Sequence, residues 1–119
     1  MEAGTARKTR TGRDADWWLH ELENAREDVA TAESIAQKEP RLEWILKQRE
    51  KHLAQAEERV ERILAGIGEV SEPWVAEAAR QHFVCGRTWP ETAKAVGYSR
   101  AWVIAKYDEA VKALSERAD

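Results

Sequence analysis

The stretch Gly86–Leu114, GRTWPETAKAVGYSRAWVIAKYDEAVKAL, decides how the rest of this 119-residue chain is read. Thr88 is a good helix N-cap, and Glu91 three residues on completes a capping box. The hydroxyl accepts an orphan backbone N–H and the carboxylate reaches back to the cap. Pro90 falls in the first turn, where its missing N–H is not needed. Gly97 ends this short helix, because glycine enters the left-handed conformation of a sharp turn without a Cβ clash. Ser99 caps the next helix, along which Val103, Tyr107, Ala110 and Leu114 recur at spacings of 4, 3 and 4, one face inward. A short capped helix, a glycine turn and a second capped helix are the parts of a helix-turn-helix.

The composition around this stretch suits an elongated all-α protein. Charged residues make up 34% of the chain, and mean hydropathy is −0.69. Such a chain buries narrow apolar seams, not a large round core. A formal net charge of −3 argues against binding nucleic acid by bulk charge alone, while leaving a local site open. Cys85 is the single cysteine, so no intrachain disulfide forms, which suits a reducing cytoplasm. No apolar run is long enough to span a membrane, and the basic N-terminus lacks the apolar segment of a signal peptide.

Upstream, residues 1–13 carry Arg7, Lys8, Arg10 and Arg13 against Glu2 and read as a disordered basic tail, either solvated or reaching DNA phosphate. Residues 14–67 read as an antiparallel helical hairpin of coiled-coil type, and 68–119 as the helix-turn-helix domain. The first helix, capped by Asp14 or Asp16, has the seam Trp18, Leu22, Ala25, Val29, Ala32 and Ala36, at alternating spacings of 4 and 3. The second, from about Pro40 to Ala65, has Leu42, Leu46, Arg49, Leu53, Ala56, Val60, Ile63 and Ile67, and Gly66 and Gly68 are expected to end it. One continuous seam would bury Glu39, Glu43, Glu50 and Glu57, so the phase resets at Pro40 and the chain turns back. A homodimeric coiled coil could use the same seams. Ser71 is expected to cap a third helix with Trp74, Val75, Ala78, Ala79, His82 and Phe83 on its apolar face, ending near Cys85. Residues 115–119 read as a frayed polar end.

Gly86, Trp89, Ala93, Val96, Gly97, Tyr98, Ser99, Val103, Ala110 and Leu114 occupy positions at which the C-terminal stretch resembles the helix-turn-helix of bacterial RNA polymerase sigma factors, the domain that reads the −35 promoter element. The whole order, over roughly residues 17–115, looks like that of small phage and prophage transcriptional regulators with a sigma-like C-terminus. The resemblance implies that the helix from Ser99 enters the major groove of duplex DNA, N-terminus first. Ser99 and Arg100 would lie nearest the bases. Ala101, Trp102, Ala105 and Lys106 would face outward, and Arg87 and Lys94 would meet phosphates. RNA polymerase and a second copy of the chain are further expected partners.

The sequence departs from that pattern in two ways. Trp102 and Ile104 are apolar where base-reading helices are usually polar. From Glu69 onward there are seven basic and eight acidic residues, a weak balance for a DNA-binding domain. A second reading therefore stands beside the first: a protein-interaction module with the helix-turn-helix as scaffold and Trp44 or Trp102 as anchor. A third is a small terminase-like subunit for phage DNA packaging. His82-x-x-Cys85 has no second pair to complete a zinc site and is expected in the core. No nucleophile triad, phosphate-cradling glycine loop or metal-type carboxylate cluster stands out, so neither an enzyme nor a cofactor is expected.

Overall fold

A computed structural model describes the backbone of residues 12–118 and the side chains of residues 15–116. All regular structure among these residues is helical, as the composition predicts. Helix α1 spans Gly12–Lys38, and a 3-10 turn at Pro40–Leu42 leads into α2, Glu43–Val70. Helix α3, Pro73–Ala79, runs on into a π-helical turn at Arg80–Val84. Helices α4, Trp89–Val96, and α5, Arg100–Ala118, complete the chain. The segment expected as a basic tail lies outside the described residues, except that Gly12 and Arg13 already belong to α1.

The turn between α1 and α2 follows from Pro40. Glu39 is driven off the helical region to φ −133, ψ 83, because the proline ring crowds the residue before it. Its N–H still closes α1 on the Ile35 carbonyl at 2.8 Å. The two long helices then run antiparallel, since Glu21 meets His52 at 2.8 Å while Arg59 lies over the ring of Trp18. Trp18, Leu22, Ala25 and Ala32 of α1 are buried, as are Ala56, Val60 and Ile67 of α2. These are seam positions. Arg49, the one charged seam residue, is exposed.

Several boundaries differ from the sequence expectation. Helix α1 starts at Gly12, before Asp14 and Asp16. Gly66 and Gly68 do not end α2, which runs through both to Val70. Gly66 makes a close contact, since a Cβ there would sit 2.9 Å from Cδ2 of Leu114, whereas one on Gly68 would be in ordinary contact, 3.9 Å from Cβ of Ala76. The absent side chain at Gly66 lets α5 approach. Ser71 is not the cap of α3. It is extended, Glu72 takes the cap position without a side-chain bond, and Pro73 supplies the preset φ of the first residue. The end of the chain stays helical through Ala118, where fraying was expected from Ser115.

One core cluster joins all of this. Leu19 and Leu22 of α1, Val60 and Ile67 of α2, Val75 and Ala79 of α3, Phe83, and Tyr107 and Ala110 of α5 pack together. It runs across position 67/68, where the sequence suggested a boundary. Leu19 is 1% exposed although it lies off the α1 seam. It is buried because α1 also packs on α5 and on the π-helical turn.

Candidate nucleic-acid interface

The geometry of α4 and α5 is set first by local hydrogen bonds. The Glu91 N–H donates to the Thr88 hydroxyl at 3.2 Å, and the Thr88 N–H donates to the Glu91 carboxylate at 2.9 Å. The Thr88 backbone N–H, followed by its hydroxyl, holds the Glu91 carboxyl below the usual carboxylate range. A charged Glu91 therefore sits at the positive end of α4. At the other end Gly97 takes φ 83, ψ 25, in the left-handed region. Its N–H and that of Tyr98 both reach the Ala93 carbonyl, at 2.9 and 3.2 Å. Ser99 then caps α5, its hydroxyl accepting from the Trp102 N–H at 3.2 Å.

Packing fixes the angle between the two helices. Ala78, Ala93 and Val103 form a small core of their own, with Trp74, Trp89 and Val96 against it. The ring of Tyr98 stacks on Trp74, centroids 4.2 Å apart, so the turn is clamped to α3. Tyr107 faces inward, and its hydroxyl donates to the Asp16 carboxylate of α1 at 2.7 Å. Burial, reinforced by that hydrogen bond, raises the Tyr107 hydroxyl above the usual phenol range. The inner side of α5 is thus tied to the N-terminal part of α1.

The outer side of α5 presents Arg100, Ala101, Trp102 and Ala105, all exposed, beside the exposed Ser99. Trp102 is 48% exposed. Lys106 differs from its expected outward placement. Its side chain is only 20% exposed and pairs with Glu109 at 3.0 Å, and its ammonium lies 5.5 Å from the Trp102 ring centre. The aromatic face attracts the cation and covers its stem. Arg87 and Lys94 line a shallow depression on α4 together with Glu91, whose charge offsets theirs.

Other singled-out residues scatter. Trp44 is 57% and Trp17 50% exposed, the latter edge-on to Trp18. The core placement expected for His82 and Cys85 is corrected on both counts. Cys85 is exposed, and His82 is half-buried with its Nδ1 on the Arg87 carbonyl at 2.7 Å and its ring stacked on Trp89. Both follow the π-helical turn, which swings the chain off the core after Phe83. Tyr98, 44% exposed beside Ser99, was not singled out for this face. Its place in the Gly-Tyr-Ser turn is the signal that could have found it. No family model matches the chain, and no characterised protein or solved structure shows significant similarity to it.

Proposed function

We infer that the chain is a DNA-binding transcriptional regulator, in which α4, the turn at Gly97 and α5 act as a helix-turn-helix. The observation that supports this best is the two-sidedness of α5. Val103, Tyr107 and Ala110 are locked into the core, while Ser99, Arg100, Ala101, Trp102 and Ala105 are left uncovered at its N-terminal end. A helix held in this way is one that can enter a major groove N-terminus first. Arg100 would be the base reader, since a guanidinium can donate two bonds to one guanine. Arg87 and Lys94 would meet the backbone, and the antiparallel α1–α2 hairpin would position the module, dimerise it or hold RNA polymerase.

A mobility-shift assay at low salt on duplexes from upstream of its own coding region, with the wild type and an Arg100→Ala, Lys106→Ala double variant, tests the reading. Loss of the sequence preference in the variant is the expected result. Unchanged binding would remove α5 as the reading helix. The exposure of Trp102 and Trp44 supports a second reading, a protein-interaction module in which they anchor a partner. No binding to any duplex at low salt, where electrostatic affinity is greatest, would favour it.

A further inference from the structure

A cleft of about 320 Å³ opens between α1 and the loop that leads into α4. Two arginines line it, Arg26 from α1 and Arg87 from the loop, and so do two histidines, His20 and His82. Glu23 is the one carboxylate at its rim, and the exposed thiol of Cys85 lies beside it. The four basic groups come from two elements far apart in sequence, which the core brings together. Phe83 is the pivot: the rings of His20 and His82 both stand edge-on to it, at 4.9 and 4.6 Å. Arg26 is held in place by donating to the Val84 carbonyl at 2.9 Å. That bond uses one of its five N–H donors and leaves the others for a ligand.

The donor set selects an anion. Among the described residues, no three His, Cys, Asp or Glu side chains gather to hold a metal ion. Guanidinium donors beside a small concavity match the oxygens of a phosphate group. We propose that this cleft binds a phosphate group, between Arg26 and Arg87 with the two histidines beside it. The source is either a free phosphate monoester or the backbone of a nucleic acid. The site stands apart from α5 and does not require that α5 read bases.

The histidine tautomers add a signature. His82 Nδ1 lies 2.7 Å from the Arg87 carbonyl and His20 Nδ1 lies 2.9 Å from the Asp16 carbonyl. A carbonyl only accepts, so both Nδ1 atoms carry hydrogen. Each Nε2 is then an acceptor until the ring is protonated, and only the cation offers a second donor.

The test is a titration of the full chain with inorganic phosphate, followed through the imidazole carbon protons by NMR, with chloride at matched ionic strength as control. His52, paired with Glu21 outside the cleft, is an internal reference. The expected result is a saturable response of His20 and His82, with His52 still. An Arg26→Gln, Arg87→Gln double variant should weaken it at least tenfold. Both positions are exposed, and a helical circular-dichroism spectrum confirms that the variant folds. A second arm replaces phosphate with a short duplex. Saturation by duplex alone assigns the phosphate to a nucleic-acid backbone, and saturation by free phosphate assigns it to a diffusible ligand. Equal drift of all three histidines, or no saturable response in either arm, overturns the site. A mobility shift unchanged by the Arg100 substitution would remove α5 as the reading helix and leave the phosphate arm untouched.

Discussion

The two ends of the α1–α2 pair carry the same heptad spacing and are built differently. Near the junction with α3 and α5, Leu19, Leu22, Val60 and Ile67 are at most 1% exposed. Toward the Pro40 turn, Val29, Ala36, Leu42, Ile45 and Leu46 are only half-buried, and Ile35 and Trp44 are 41% and 57% exposed. Periodicity fixes which side of a helix turns inward. How much that side is buried depends on how many elements arrive to cover it. Two helices alone cover a stripe, and the additional helices at the junction close it into a core. The stability of the chain is therefore expected to be concentrated at the junction, with the distal end opening locally first.

The widest break in this comparison would come from matched truncations. Ile67→Ala removes a fully buried side chain from the core that joins α1, α2, α3 and α5 and should cost about 2–5 kcal/mol. Leu46→Ala, half-buried between two helices, should cost less than about 1.5 kcal/mol. Urea unfolding of both variants, with m unchanged, checks the ratio. Equal losses would mean that the distal seam is covered in solution by something else, a second copy included.

Tyr107→Phe probes how α5 is fastened to the junction. The substitution removes the bond from the hydroxyl to Asp16 and little packing. Asp16 is half-exposed and can turn to water, so the loss should be about 1 kcal/mol. The pH dependence sharpens the test. The folded state holds the Tyr107 hydroxyl above its ordinary value, first by burial. That contribution is fully present below the unfolded phenol value of about 10 and declines as pH rises beyond it. Wild type should lose stability on that alkaline limb, and the Phe variant should lose less. Parallel alkaline limbs in the two proteins would show that the hydroxyl is not sequestered.

What could be read in the sequence divides along the same line. The Thr88–Glu91 box, the left-handed Gly97 and the Ser99 cap were legible because each bond joins residues at most five apart. The helix seams were legible because burial repeats with the helical period. Gly66 and Gly68 were misread as a helix end because the partner that explains Gly66, Leu114, lies far along the chain. Leu19 was missed for the same reason, its cover being Phe83 and α5. In the candidate interface the exposed first turns of α5 were legible. The turning of Lys106 onto Trp102 and Glu109 was not, since a charged side chain's rotamer depends on neighbours that spacing alone does not weigh.

The two glycines separate close approach from helix propensity. Alanine is about 1 kcal/mol better than glycine inside a helix. At Gly68 a Cβ would make ordinary contact with Ala76 at 3.9 Å, so Gly68→Ala should stabilise by about 0.5–1 kcal/mol. At Gly66 the 2.9 Å approach to Leu114 sets displacement of that side chain against the same gain, and Gly66→Ala should be close to neutral. Thermal unfolding of the pair ranks them. A Gly66→Ala gain equal to that of Gly68→Ala would show that Leu114 moves freely and that α5 is loosely seated there.

The smallest effect belongs to the ion pair across the junction's outer edge. Arg80 donates two bonds to Glu61, at 2.9 and 3.0 Å, in bidentate geometry but with both side chains substantially exposed. The Arg80 hydrogen bonds lower the Glu61 carboxyl below the usual range, against a small opposing effect of burial. A depressed carboxyl contributes stability above its unfolded value, about pH 4.3, and loses it as pH falls through the folded one. Solvent screening keeps the contribution to at most about 0.5–1 kcal/mol. Glu61→Gln should therefore cost that much or less at pH 7 and nothing once the wild-type carboxyl is protonated. Because α3 turns into its π-helical segment at Arg80, a loss that persisted unchanged into acid would mean that the bridge shapes the backbone there, not merely its electrostatics.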